Sequence, residues 1–296
     1  MKIGYPCINT SLGCCANRTF RLSSYSSARL VSTVHTNLDA LKQILEYNVK
    51  MGLLFFRISS CLVPFASHSI IDFDWVKFFA PKFTALGEYI KKHDLRISMH
   101  PDQFVVINSP DPVIVQNSIR ELEYHATVLD SLGLDTSAKM QIHGGGVYGN
   151  KEEALKRFIN TYHTLSEKVK RRLVLENDER SYSLKECLFL HSQTGIPLLF
   201  DTLHHECLNN GEPLKEALSS ALATWGERDG SGMIDYSSQA AGSRTGKHVQ
   251  TIKEEHFRAF LEATREFDFD IMLEIKDKEL SALKALSIAR DLKRIT

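Results

Sequence analysis

Five apolar runs in this chain end in a side chain that can bind a metal. Arg96-Ile97-Ser98-Met99 runs into His100, Lys139-Met140-Gln141-Ile142 into His143, and Arg172-Leu173-Val174-Leu175 into Glu176. Pro197-Leu198-Leu199-Phe200 runs into Asp201, and Asp270-Ile271-Met272-Leu273 into Glu274. Asp201-x-x-His204 places a carboxylate and an imidazole on one turn, a common ligand spacing, and His248 falls in a loop after a strand. A lone histidine at a strand end is more often structural. Four of them sharing a rim with Glu176, Asp201 and Glu274 reverse that expectation. Nitrogen and oxygen ligands without a well-placed Cys suit Mn²⁺, Zn²⁺ or Fe²⁺. The set is too large for one ion, so two or three metals are expected, with a carboxylate such as Glu176 bridging. Such a centre generates hydroxide near neutral pH and clamps the attacking and leaving oxygens of a phosphodiester displacement. It also polarises a sugar carbonyl for isomerisation, and spacing leaves both chemistries open.

The elements that must position these residues follow from periodicity. Continuous apolar runs bounded by charge read as strands buried on both faces of a parallel sheet. Strands are expected at 2–5, 53–58, 96–100, 139–143, up to Glu176, up to Asp201, at 232–235 and at 270–274. Helical spacing fills the intervals: from Thr36, then 74–93, 111–133, 152–169, 183–193, 213–223, 253–265 and 278–293. Strand and helix alternate eight times with no linker, which predicts a single-domain (β/α)8 TIM barrel over residues 1–296, with an open doubly wound sheet as the alternative. The seventh strand is the weakest in sequence. In either fold the chemistry gathers at the carboxyl ends of the strands.

The chain has 296 residues, 43% hydrophobic and 24% charged, ample for one large core. Lys+Arg and Asp+Glu are both 36, which argues against a generic polyanion binder, although local patches matter more than totals. One such patch spans residues 1–35, where Lys2, Arg18, Arg21 and Arg29 stand without Asp or Glu. None of the six cysteines forms Cys-x-x-Cys, so a zinc ribbon is not expected. The first six residues lack the apolar core of a signal peptide, and no apolar run approaches a membrane span. The expectation is a soluble, cytoplasmic monomer with reduced thiols and no membrane partner.

Two stretches suggest what sits over the rim. His100-Pro101-Asp102-Gln103-Phe104 and Tyr5-Pro6-Cys7-Ile8-Asn9 each set an amide and an aromatic ring just after a strand. Amides hydrogen-bond base edges, and rings stack on unpaired bases. The plainer alternative is that Tyr5 and Phe104 cover the barrel mouth. Gly144-Gly145-Gly146 can bring backbone N–H groups near a phosphate, or is simply a flexible loop.

At these residues the sequence resembles the UV damage endonuclease family, metal-dependent repair nucleases related to endonuclease IV. The matching pieces are Gly4-Tyr5-Pro6 with Asn9, Phe56-Arg57-Ile58-Ser59-Ser60, His100 to Phe104, Gln141 to Gly145, Leu175 to Asp178, Asp201-x-x-His204 and Met272 to Lys276. They run in order along nearly the whole chain. The resemblance implies a TIM barrel with up to three divalent ions, Mn²⁺ foremost and Zn²⁺ or Mg²⁺ as alternatives. It implies double-stranded DNA carrying UV photoproducts as partner. It also implies a nick immediately 5′ of the lesion that leaves 3′-hydroxyl and 5′-phosphate ends. Carried over by position, the ligands are His100, His143, Glu176, Asp201, His204, His248 and Glu274, with Glu176, His143 and Glu274 as the catalytic set. Tyr5, Gln103 and Phe104 would probe the lesion, with Asn9 and Arg18 as further DNA contacts. One stretch departs from the pattern: Lys-x-His is expected after the seventh strand, and Met233-Ile234-Asp235 stands there. Asp235 can still bind a hard cation, whereas Met233 is a poor substitute. The enzyme alternative is a metal-dependent sugar isomerase or epimerase on the same barrel, which needs neither the basic first loop nor Gln103-Phe104.

Overall fold

The computed structural model describes residues 1–295. Parallel strands β1 (Ile3–Pro6), β2 (Phe55–Ile58), β3 (Arg96–Met99), β4 (Lys139–His143), β5 (Leu173–Glu176), β6 (Leu198–Asp201), β7 (Gly232–Tyr236) and β8 (Phe269–Leu273) close into a barrel in sequence order. The crossovers carry α1 (Ser27–Met51), α2 (Trp75–Lys92), α3 (Pro112–Ser131), α4 (Lys151–Thr164), α5 (Glu167–Lys170), α6 (Leu184–Thr194), α7 (Thr202–Cys207), α8 (Leu214–Leu222) and α9 (Glu254–Ala263). After β8, α10 (Glu279–Asp291) packs back beside β1. This is the expected (β/α)8 barrel.

Closure sets which side chains look inward. β8 pairs with β1 through Gly4↔Met272, and Gly4 pairs onward with Phe55. A Cβ at Gly4 would lie 1.8 Å from the Phe55 carbonyl oxygen, so only glycine lets the strands approach here. Phe55, Val174, Leu199, Met233 and Met272 form a small apolar plug separate from the main core under the helices. Two residues further along each strand, on the same face, come Arg57, Glu176, Asp201, Asp235 and Glu274. The ligand rim therefore stands on a dry plug.

Several boundaries differ from the periodicity reading. α1 starts at Ser27, because the Ser26 side chain accepts from the Arg29 N–H and caps it. Thr36 lies inside that helix with its hydroxyl donating to the Ser32 carbonyl at 3.0 Å. The expected helix over 152–169 is two, since Leu165 leaves α4 and Ser166 caps α5. β7, poor in branched residues, is paired along all its residues with β8 and joined to β6 by Phe200↔Ile234 and Asp201↔Asp235. Burial between two neighbours overrides its weak propensity.

Candidate metal centre

β-Register converges the predicted ligands. His143 lies beside Glu176, and Asp201 beside Asp235. Glu176 is buried at the centre: its Oε2 is 3.5 Å from His100 Nε2 and 3.6 Å from His143 Nε2, and its Oε1 is 3.3 Å from His204 Nδ1. His204 Nδ1 is also 3.7 Å from Asp201 Oδ2. An antiparallel bridge, Gln239↔His248, brings the loop after β7 back so that His248 Nδ1 lies 3.7 Å from Glu274 Oε2. Three triads result: His100–His143–Glu176, Glu176–Asp201–His204 and Asp201–Asp235–Glu274, with potential ligand atoms within 4.8 Å of one another. Glu176 belongs to two of them. All eight residues read as ligands are thus brought to one end of the barrel.

The donor set fits divalent cations. Asp201 Oδ2, His100 Nδ1 and His143 Nδ1 are buried without a hydrogen-bond partner among the described residues. Buried polar atoms rarely go unpaired, and a cation is what an orphaned carboxylate oxygen accepts. Burial lowers His100 to about 4, against the pull of Glu176, so the imidazole is neutral and able to ligate. Burial opposes charge on His204, but Asp201 and Glu176 outweigh it and push that ring up to about 11. Burial raises Asp201 to about 6. On Glu176 burial is outweighed by His143, His204 and His100, which hold it well below the usual carboxylate range. Nearby, Asn177 aligns the site: its amide bridges both backbone groups of Asp201, and its carbonyl faces His204 Nδ1 at 2.9 Å. That nitrogen must carry the proton, which fixes the ring orientation.

Beneath the triads lies a residue whose role the sequence did not disclose. Arg57 is 2% exposed, and its Nη2 donates to both Asp235 oxygens at 2.7 Å while Nη1 donates to Glu274. Gln141 Nε2 donates to Glu176 Oε2 at 2.8 Å and to Asp235 Oδ2 at 2.7 Å. The signal was available: Arg57 shares the inward face of β2 with Phe55, and a charged inward residue near a strand's carboxyl end belongs to the rim.

The residues read as DNA contacts separate. Gln103 is exposed at the cavity wall and Phe104 is 67% exposed beside it, so Phe104 does not close the mouth. Tyr5 goes elsewhere. It is fully buried on the outward face of β1, its ring 5.4 Å from that of Phe56. The Tyr5 hydroxyl donates to Asn48 of α1 at 2.6 Å and accepts from Asn9 at 2.8 Å. Asn9 is buried too, and its carbonyl oxygen accepts from the Ser11 and Leu12 N–H groups. Tyr5 and Asn9 therefore organise the first loop from within. Arg18 is exposed outside the cavity, its backbone tied to Asn37. The cavity's cations include Arg244, Lys247, Lys276 and Lys278 instead, none in an ion pair among the described residues. Periodicity could not find them, because two separate loops meet there. The glycine run is held rather than flexible: Gly145 has φ +87°, and Asn108 and Tyr182 both donate to the Gly146 carbonyl.

The cavity measures about 1190 Å³, above the roughly 300–1,000 Å³ of small-molecule sites. All six cysteines are free, and among the described residues no helix is long and apolar enough to cross a membrane.

A family model described as UV-endonuclease UvdE matches residues 1–296. A UV DNA damage endonuclease of Clostridium perfringens (strain 13 / Type A) is 40% identical over 296 residues, covering 99% of this chain and 72% of that protein. The solved structure of SacUVDE aligns with TM-score 0.95 and 47% identity over 100% of both chains. Endonuclease IV from Thermus thermophilus aligns with TM-score 0.59 and 18% identity, over 86% of this chain and 94% of that one, a likeness of fold alone.

Proposed function

The chain belongs to the UV-endonuclease UvdE family, and from that premise we propose that it nicks duplex DNA immediately 5′ of a UV photoproduct, leaving 3′-hydroxyl and 5′-phosphate ends. The reading adds divalent ions, Mn²⁺ foremost, held by His100, His143, Glu176, Asp201 and His204, with His248 and Glu274 at the edge of the same site. The observation that carries it is the position of Glu176. It is shared by two ligand triads at the base of a cavity whose walls carry Gln103 and unpaired cations. Divalent ions bound there supply Lewis-acid activation of water and neutralise charge on the phosphodiester.

The chain's own residues supply the rest. Lys247, Lys276, Lys278 and Arg244 attract the phosphate backbone and set register without reading sequence. Phe104 stacks on a base at the weakened lesion, and Gln103 replaces hydrogen bonds lost by the opposing bases. Buried Asn177 and Gln141 keep the ligands aligned before substrate arrives. Every residue named lies on one chain, so a monomer suffices. Six free thiols suit the reducing cytoplasm. A sugar isomerase would need neither the cation wall nor an exposed Phe104.

The test uses UV-irradiated supercoiled plasmid beside an unirradiated control. Nicking of the irradiated plasmid alone is expected, abolished by EDTA and restored by Mn²⁺, with end mapping at the 5′ side of the lesion. Full activity after verified metal removal, or equal nicking of both plasmids, overturns the reading.

A further inference from the structure

We infer that the metal centre of this chain holds two ions, and that the Arg57 guanidinium occupies the cation position a third would need, keeping Asp235 out of the ligand set. The inference rests on the metal-dependent reading above. It replaces the expectation that Asp235 ligates a cation in place of the missing His.

The third triad, Asp201–Asp235–Glu274, is the one at issue. Two of its three carboxylates are already held by Arg57. Asp235 is fully buried, and all three contacts on its oxygens come from N–H donors: Arg57 to both at 2.7 Å and Gln141 to Oδ2 at 2.7 Å. A protonated oxygen would meet only donors there, so the ionised form is the one these partners satisfy. On Arg57 burial opposes the charge, but Asp235 and Glu274 outweigh it and raise the group. Arginine does not deprotonate in proteins, so this cation is permanent.

Displacing Arg57 from Asp235 would leave the buried guanidinium with Glu274 as its one remaining ion-pair partner and two of its donors unmet, and an undercompensated buried charge is unfavourable. Charge counting within the triads agrees: Glu176, Asp201, Asp235 and Glu274 against Arg57 leave three net negative charges, with the histidines neutral as ligands. Two divalent ions exceed that by one charge, which a bound phosphodiester offsets. A third ion would leave two uncompensated positive charges even after the same offset. The neighbouring inward residue on β7 gives no alternative, since Met233 is packed in the apolar plug and a thioether is a weak ligand for a hard cation.

The measurement is metal content per folded chain by elemental analysis, after Mn²⁺ loading and removal of free ion. It is joined by anomalous diffraction from crystals grown in Mn²⁺. Two ions per chain are expected in the native protein and also in Asp235→Asn, which keeps the shape and both Arg57 and Gln141 nearby. Asp201→Asn should fall to one. Three ions in the native chain, loss of an ion in Asp235→Asn, or an anomalous peak bonded to Asp235 overturns the inference while leaving the metal-dependent reading intact. No bound ion in folded native protein overturns both. If Asp235→Asn does not fold, the native count and the anomalous map decide.

Discussion

The two ends of the barrel both bury charge, and they do so differently. At the amino end Arg96 meets Asp270 at 2.7 Å and Lys139 meets Asp229 at 2.5 Å, with the Trp225 ring about 5.5 Å from the Arg96 guanidinium carbon. Each cation has one anion: Lys139 also donates to the Arg171 carbonyl and Asp270 also accepts from the Lys2 N–H, while Arg96 Nε and Nη2 have no hydrogen-bond partner among the described residues and the guanidinium lies over the Phe55 and Trp225 rings. At the carboxyl end four carboxylates gather round one buried guanidinium, which pairs with two of them, Asp235 and Glu274. The amino end is neutral by itself and explains only stability. The carboxyl end sets four buried or half-buried carboxylates against one buried guanidinium and leaves Asp201 Oδ2, His100 Nδ1 and His143 Nδ1 without a hydrogen-bond partner among the described residues. That asymmetry, more than the number of buried charges, marks the functional end.

Glu176→Gln should break the comparison most sharply. Losing the shared charge should cut turnover by roughly a thousandfold, a loss typical of removing a key electrostatic group, with the fold and most DNA affinity retained. Single-turnover nicking assays with circular dichroism check it. Near-native cutting by the pure variant would place Glu176 outside the chemistry.

At the opposite end, Asp270→Asn should do the reverse. Stranding buried Arg96 costs about 3–5 kcal/mol of stability, read from denaturant unfolding. Manganese content and the turnover of folded protein should hold. A matching loss of turnover at full folding would mean that the two ends are coupled through the plug.

A smaller effect should come from the rim above the candidate metal site. Gln103→Ala with Phe104→Ala removes stacking worth about 1–3 kcal/mol, so affinity for photoproduct-bearing duplex should drop by about 10–100-fold. Metal content and binding to undamaged duplex should stay the same. Titration at fixed salt on matched duplexes decides, and an undiminished preference for damage would move recognition elsewhere on the rim.

The barrel and the gathering of the candidate ligands at one end were legible because both depend on short-range pattern. Runs such as Leu173-Val174-Leu175 that stop at Glu176 encode strand, burial and rim position together. His100, His143 and Asp201 follow the same rule, each at or next to a strand's last residue. The α1 start was missed because a cap needs only Ser26, with no apolar periodicity before Leu30.

What the sequence could not decide was direction and company. Tyr5 stands one residue from Gly4 and from Pro6, and strand parity alone sends it outward to Asn48 instead of into the cavity. Asp235 reads as a ligand in sequence, and only barrel closure shows Arg57, from the second strand, paired with it on the seventh. Lys247 and Lys278 share a cavity only because the loops after β7 and β8 fold over the same rim. Sequence by itself determined the elements and which candidate ligands stand at their ends, since local periodicity and burial write both. Which charges meet depended on contacts between residues far apart in the chain, and these exist only once the barrel has closed.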